Sequence, residues 1–372
     1  MIKKKIGIIG VTGSVGTSGL QVVATNSDIF ETIFVTAHNN KKGLEVAKNK
    51  LNAKYSILTS NEDSSKKIID IINQEGVDIV LFAASGVSVV KLVYDIVHNG
   101  THIALANKES IVTAGKIIME EASIQGVKVL PVDSEHSAIL QCLMGQRKQY
   151  VSKITLTASG GPFRYRPGDA FEYINLQEAL NHPNWSMGAK ITIDSATMMN
   201  KGLELIEARY LFDIKADKLD VTIHPESVVH SYVTFTDGST IAQLGLPNMK
   251  TPIAVALAFP ERINSDVPPV NLFEEKSLTF FKPDLNKFKC LKTAINVLNT
   301  DSSSLMTAMN AANEEAVQTF LKGRITFQDI PFVIENVLSK AESKNVETIE
   351  EAVENINKYQ LLAKEELQKY NK

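Results

Sequence analysis

Several carboxylates and hydroxyls of this chain are spaced so that a cation and an anion could be held side by side. Pro131-Val132-Asp133-Ser134-Glu135-His136 follows a β-branched run. Residues two apart on extended backbone project to one side, so Asp133 and Glu135 could share one ion. Asn200-Lys201-Gly202-Leu203-Glu204 offers a third carboxylate. Three oxygen ligands without cysteine suit a hard divalent ion, Mg2+ or Mn2+, with substrate or water completing the shell. The competing reading is a solvated surface pair, with His136 packed behind it rather than ligating. Two further stretches could take an anion. Ser159-Gly160-Gly161-Pro162-Phe163 follows a strand and offers a hydroxyl and flexible amides. Asp194–Lys201 is expected to run from a strand (Ile191–Ile193) into a helix, with Ser195 at the helix start. Ser195, Asn200 and Lys201 could then contact a phosphate, although Ser195 could equally be an ordinary N-cap. His182-Pro183-Asn184-Trp185-Ser186-Met187-Gly188 is a loop carrying the only tryptophan. It reads either as a mobile cover over a site or as an aromatic anchor. His224 and His230 have no role that their neighbours assign.

A second chemistry lies near the start. Gly10-Val11-Thr12-Gly13-Ser14-Val15-Gly16 sits between a strand and a helix, where glycines let the backbone approach a pyrophosphate at the helix N-terminus. The spacing is Gly-x-x-Gly-x-x-Gly rather than G-x-G-x-x-G, and a turn needed only for strand–helix packing is the alternative. After the second strand stands Ala37-His38-Asn39-Asn40-Lys41-Lys42. Polar and cationic groups without a carboxylate favour NADP(H) over NAD, unless Lys41 and Lys42 are merely a solvated helix start.

Three kinds of scaffold are needed to bring these groups together. Up to about Ser134, short apolar runs alternate with helical patterns: Ile6–Ile9, Ile33–Ala37, Tyr55–Leu58, Ile79–Ala83, His102–Ala106 and Val127–Val132 are the strands. Helices such as Val89–Val97 and Ile111–Ala122 lie between them. That pattern predicts an α/β domain with a doubly wound parallel sheet of Rossmann type over residues 1–133. Residues 134–259 read as an α+β catalytic domain with a largely antiparallel sheet (Ile154–Ala158, Val221–His224, Val228–Phe235, Thr240–Leu244), a hairpin turn at Thr236–Ser239 and a flap over 182–189. Residues 260–289 read as a surface linker, and 290–372 as a helix bundle with runs at Leu291–Leu298, Leu305–Leu321, Ile330–Ala341 and Thr348–Tyr370.

The composition is that of an ordinary globular protein: 372 residues, 44% hydrophobic and 22% charged. A net charge of −3 carries no footprint for nucleic acid or membrane. Cys142 and Cys290 have neither disulfide-scaffold nor zinc spacing. No apolar run reaches membrane-helix length. Met1–Lys5 passes straight into a strand, so no signal or transit peptide is expected, and a cytoplasmic location is.

Together these stretches resemble the 1-deoxy-D-xylulose 5-phosphate reductoisomerases. Gly10–Gly16, Ala104–Thr113, Pro131–His136, Ser159–Arg164, His182–Ala208 and His224–Ser231 carry the resemblance, and Leu305–Ala316 extends it into the helical region. The run from His182 to Ala208 is the most specific. The resemblance implies that NADPH and Mg2+ or Mn2+, with Co2+ a further candidate, support rearrangement and reduction of a small phosphorylated sugar. It places Thr12, Gly13, Ser14 and Val15 at the pyrophosphate, with Asn107, Glu109 and Gly188 also at the cofactor. It assigns the metal to Asp133, Glu135 and Glu204, and catalytic work to Lys108, Glu135, His182 and Glu204. Ser134 and Lys108 would contact the substrate near its reacting carbons, alongside Glu135 and Glu204. Ser159, His182, Ser195, Asn200 and Lys201 would grip its phosphate region, with Trp185 and Met187 closing over it. His38-Asn39 departs from the Gly–Lys or Ser–Arg pair frequent there, which leaves Lys41 or Lys42 as substitutes at the 2′-phosphate. A homodimer through the middle sheet is also implied. Two rivals are another NADP dehydrogenase of homoserine or semialdehyde type, and a non-catalytic dinucleotide sensor.

Overall fold

Alternation of buried side chains explains the first sheet. In a computed structural model describing residues 3–185, 187–275 and 277–370, the chain opens with β1 (Lys4–Ile9), α1 (Ser14–Thr25), β2 (Phe30–Ala37), α2 (Lys41–Leu51), β3 (Tyr55–Leu58) and α3 (Ser64–Glu75). It continues with β4 (Ile79–Phe82), α4 (Val90–His98), β5 (His102–Leu105), α5 (Lys108–Gln125) and β6 (Val129–Pro131). Met1, Ile2, Ser186 of the flap, Lys276 of the linker, Asn371 and Lys372 lie outside the described residues. The six strands are parallel in the order β3-β2-β1-β4-β5-β6. Successive strand residues face opposite sides. Thus Ile79 and Leu81 of β4 join one apolar layer, with Leu20, Val23 and Leu44, while Val80 and Phe82 join the other, with Ile68, Val93 and Ile111. This is the expected doubly wound arrangement. Its strand order reverses between β1 and β4, the crevice where such sheets bind ligands.

The middle region contains α6 (Ser134–Leu143), β7 (Val151–Ala158), α7 (Leu176–Ala179), α8 (Ala189–Thr197) and α9 (Met199–Leu211), then β8 (Leu219–Ile223), β9 (Val229–Phe235) and β10 (Thr240–Leu244). Its sheet runs β10-β9-β7-β8, with two antiparallel pairings and one parallel pairing, β7 with β8. The predicted hairpin is present: Ser239 donates to Asp237 Oδ1 from its N–H at 2.9 Å. The strand expected at Ile191–Ile193 is not. Those residues belong to helix α8, where Ile193 and Ala196 are fully buried, and this packing overrides the β-branched alternation of Ile-Thr-Ile.

Three helices of the middle region, α6, α7 and α10, have no counterpart in the periodicity reading. α10 (Lys250–Ala258) is apolar nearly all round and leaves the middle sheet to pack on the first one. Ile253 and Leu257 share a buried layer with Ile6, Leu81 and Leu130. Its Pro252 falls in the first turn, where a missing N–H costs little. From 289 onward the chain is helical, as expected: α11 (Lys289–Thr300), α12 (Ser303–Leu321), α13 (Asp329–Leu338) and α14 (Ile349–Gln368). Ile349, Ala352 and Ile356 of α14 also cover the first sheet's α4–α5 side.

Candidate active site

The carboxyl ends of the first sheet and one end of the inner strands β7 and β9 of the second face each other across a cleft of about 1140 Å3, part of it open to solvent. Asp133 and Glu135 reach it by a different backbone from the extended one expected. Asp133 is the N-cap of α6, its Oδ1 accepting the Ser134 N–H at 3.0 Å, and Glu135 stands in the helix's first turn. Acidic groups are favoured at both places by the unpaired N–H groups and the helix dipole. Glu204, fully buried, comes from the second turn of α9. One oxygen from each of the three lies within 4.8 Å of the others. The predicted trio therefore converges.

Two buried lysines stand among these carboxylates. Lys108, the first residue of α5, places Nζ 2.6 Å from Asp133 Oδ2, 3.3 Å from Glu204 Oε1 and 2.6 Å from Asn200 Oδ1. Lys201 places Nζ 2.6 Å from Glu135 Oε1 and also against Glu204 Oε2. Asn200 donates its amide to Glu204 Oε1, and Ser134 Oγ donates to Glu135 Oε2 at 2.6 Å. Burial opposes every one of these charges. Lys108 nonetheless holds Asp133 well below the usual carboxylate range, and Lys201 lowers Glu135. Glu204 behaves differently: burial, then the charge of Glu135, pushes its carboxyl up to about 7. Three acids facing two ammoniums lack one positive charge, and the donor set is all oxygen. The residues fit a hard divalent cation.

His136 is not among these ligands. Its Nε2–H donates to the Glu204 carbonyl at 2.8 Å and its Nδ1 lies 3.2 Å from Glu207 Oε2, so it props the backbone carrying Glu204. Burial pushes the Glu207 carboxyl up to about 7.

The hydroxyl-rich end lies beyond Lys201. Ser195 lines the cleft from the last turn of α8, not from a helix start as expected; Met198, at φ 59°, breaks the chain between α8 and α9. The helix N-terminus at this corner is that of α9, with Asn200 and Lys201 in its first turn and the Met199 N–H donating to Thr197 Oγ1 at 3.3 Å. Gly161, at φ 63°, lets Ser159–Gly161 press against this corner: a Cβ there would stand 2.7 Å from the Ser195 carbonyl oxygen. His182 Nδ1 accepts the N–H groups of Asn184 (3.1 Å) and Trp185 (3.0 Å), which leaves Nε2–H to donate to Ser159 Oγ at 3.1 Å. The Ser159 hydroxyl hydrogen is thereby free to point at an anion. Burial and the Arg164 guanidinium push the His182 imidazole down to about 4, so it stays neutral.

The flap crosses this end. Asn184 Nδ2 donates to Pro225 O and Ser227 Oγ at 2.8 and 2.6 Å, while Trp185, Met187 and Gly188 line the cleft. Trp185 meets the His230 ring edge-on, with centroids 6.5 Å apart. His230 and Met249 line the same cleft, and periodicity had marked neither. His224 is structural: it stacks on Phe280, contacts Thr279 O through Nδ1 and accepts the Val228 N–H at Nε2.

Of the expected cofactor residues, Ser14 and Val15 line the cleft at the start of α1, whose N-cap Gly13 supplies no side chain. Gly10, at φ 81°, is kept small by the Ala83 carbonyl, 2.9 Å from where a Cβ would stand. Thr12 lies beside Gly43 of α2. His38 and Asn39 are exposed past β2, with His38 Nδ1 3.3 Å from Thr59 Oγ1. Asn107 is occupied within the protein: it caps α5 through Ser110 N–H and donates to Ala84 O and Gly86 O. Glu109 faces Lys190 at 3.4 Å. Gly188 is the N-cap of α8.

Comparison with known proteins places the chain in one family. Family models match residues 6–115 (1-deoxy-D-xylulose 5-phosphate reductoisomerase), 129–212 (1-deoxy-D-xylulose 5-phosphate reductoisomerase C-terminal domain) and 244–360 (DXP reductoisomerase C-terminal domain). A 1-deoxy-D-xylulose 5-phosphate reductoisomerase of Trichlorobacter lovleyi is 44% identical, with 94% of each chain covered. One of Thermodesulfovibrio yellowstonii is 42% identical, covering 98% of this chain and 99% of its own. A crystal structure of DOX-P reductoisomerase with NADPH, fosmidomycin and magnesium superposes with a TM-score of 0.90 at 36% identity, covering 98% of both chains. The Zymomonas mobilis enzyme with NADPH gives 0.91 at 34%, covering 98% of this chain and 99% of that one.

Proposed function

The chain belongs to the 1-deoxy-D-xylulose 5-phosphate reductoisomerase family, and from that premise we propose how its own side chains divide the work. It is an NADPH- and divalent-metal-dependent enzyme that rearranges and reduces 1-deoxy-D-xylulose 5-phosphate to 2-C-methyl-D-erythritol 4-phosphate, a step in making isoprenoid precursors. The observation that carries the assignment of roles is the convergence of Asp133, Glu135 and Glu204 beside Lys108, under a tryptophan-bearing flap.

Asp133, Glu135 and Glu204 would hold the ion, for which Mg2+, Mn2+ or Co2+ would each be a fitting partner. When bound, the ion supplies Lewis-acid polarisation of substrate oxygens and NADPH supplies the hydride. Lys108 keeps an ammonium against the reacting end, charged because Asp133 and Glu204 outweigh its burial. Ser134 orients Glu135 by donating to it. At the far end, Ser159, Ser195 and Asn200 offer hydrogen-bond donors to the phosphate, and neutral His182 sets the direction of the Ser159 hydroxyl. Lys201 adds positive charge between the two ends. Phosphate binding there supplies remote binding energy to orient the sugar and bring Trp185 and Met187 down, excluding water. Ser14, Val15 and the amides opening α1 would take the pyrophosphate, with Thr12, Gly13, Asn107, Glu109 and Gly188 around the cofactor. His38 and Asn39, helped by Lys41 or Lys42, would face the ribose phosphate.

The unit of function would be a homodimer formed through the middle sheet, working in the cytoplasm. Residues 1–133, 134–259 and 290–372 would act as cofactor, catalytic and helical domains, with 260–289 as linker. The test is NADPH absorbance with pure deoxyketose phosphate, with and without divalent metal. Oxidation that needs both is expected; oxidation without metal would overturn the role of the carboxylate trio.

A further inference from the structure

Lys190 occupies a place that local helix energetics disfavour. It is the second residue of α8, where the positive end of the helix dipole opposes a cation. Its partner one turn on, Asp194, follows it in the weaker order for an i,i+4 pair. Something outside the helix must justify a lysine here. Nζ lies 2.7 Å from Asp194 Oδ2 and 3.4 Å from Glu109 Oε1, in the first turn of α5 on the cofactor side. Asp194, only 1% exposed, spends its other oxygen on Asn313 of α12, whose Nδ2 donates at 2.8 Å. One ammonium thus joins three pieces of the chain far apart in sequence: the helix that follows the flap, the helix that opens on the cofactor crevice, and the long helix of the C-terminal region.

The junction has unmet hydrogen-bonding capacity. Among the described residues, Asn310 Nδ2 and Oδ1, Asn313 Oδ1 and Glu314 Oε2 are buried without a hydrogen-bond partner. Asn310, Asn313 and Glu314 share one face of α12. Glu314 reaches toward Gly86, in the loop after β4 that Asn107 also holds. Burial raises the Glu314 carboxyl, with Lys190 opposing. Buried polar groups left this way cost stability unless a second arrangement satisfies them. A joint with one charged pair at 3.4 Å and several unsatisfied atoms has room to tighten.

We propose that Lys190 is a positioning residue that couples the cofactor crevice to the flap, through Glu109 on one side and Asp194 with Asn313 on the other. This rests on the reading of the cleft as the NADPH and deoxyketose phosphate site. Flap residue Gly188 is the N-cap of α8, so a shift of Lys190 toward Glu109 moves the flap's C-terminal anchor with the cofactor side. Cofactor and substrate then strengthen each other's binding by an equal factor.

Trp185, the only tryptophan, lies in the flap and reports its state. NADP+, which has no hydride to give, would be titrated against the full-length protein with Mg2+, with and without deoxyxylulose phosphate. Wild type, Lys190→Met and Lys190→Arg would be compared. In wild type the substrate should tighten NADP+ by about tenfold, and Lys190→Met should remove most of that factor while NADP+ affinity alone stays within about twofold. Lys190→Arg should restore most of the coupling. Full coupling in Lys190→Met, no coupling in wild type, or equal loss in both variants with equally lowered melting temperatures would each overturn the proposal. Should Lys190→Met fail to fold, Asn313→Ala carries the test: a weakened factor supports it, an unchanged one sinks it. Wild type that fails to bind NADP+ at all overturns the functional reading and the proposal together.

Discussion

The ammonium of Lys201 stands 2.6 Å from Glu135 Oε1 and closes on the carboxylate of Glu204 at the same time. This lysine therefore neutralises two of the three acids that would hold the ion, as well as neighbouring the phosphate end. Lys201→Ala leaves buried carboxylates uncompensated. In metal-free protein it should cost about 3 kcal/mol, part of it relieved when Glu204 takes a proton. Urea unfolding with and without Mg2+ checks this. Added metal should stabilise the variant more than wild type, and the substrate KM should rise; an equal metal effect on both proteins would refute the arrangement.

Glu204→Gln keeps the size of the side chain and removes its charge. Turnover should fall by at least about 1000-fold, the scale of losing a Lewis acid's grip on the reacting oxygens. NADPH affinity should change little, because the crevice at Gly10–Gly16 is formed by other elements. Near-normal activity with Mn2+ would remove Glu204 from the metal site.

Gly161→Ala meets two obstacles, a positive φ and the Ser195 carbonyl oxygen at 2.7 Å. The backbone must move, at a cost of at least about 2 kcal/mol. Because Ser159 and Ser195 move with it, substrate KM should rise as the melting temperature falls. Differential scanning calorimetry paired with kinetics decides; an unchanged melting temperature contradicts the close approach.

His182 titrates near 4 when folded and near 6.5 when unfolded. Between these values the unfolded chain binds the extra proton, so stability rises with pH. The contribution is full above about 6.5 and is lost as pH falls toward 4. The stability difference between wild type and His182→Asn should therefore shrink from pH 7 to pH 4.5 in denaturant titrations. A difference independent of pH would show that the imidazole is not buried neutral.

Much of this was legible in the residues. Near-continuous apolar strands separated by helical periods specify a parallel sheet covered on both faces, and the glycines between β1 and α1 mark the turn that joins its first strand to its first helix. Asp133 and Glu135 are legible as a pair, but they meet as N-cap and first-turn residue rather than as strand neighbours. Local alternation misled at Ile191–Ile193, where burial of Ile193 and Ala196 sets a helix. For the same reason Ser195 falls in the last turn of α8 rather than at a helix start. α10 escaped because a segment apolar on all sides has no period to detect. His230 and the Lys190–Asp194–Asn313 relay depend on contacts between distant segments, which no local spacing encodes.

α10 leaves the cleft at Met249 and ends packed on the first sheet. Any swing of that sheet against the catalytic half must therefore drag residues 250–258 along. The chain passes between the two halves near 144–150, 245–249 and 259–288, and the second of these connections ends on Met249, a wall of the cleft itself. Opening and closing would reshape the substrate's surroundings from behind as well as from the flap.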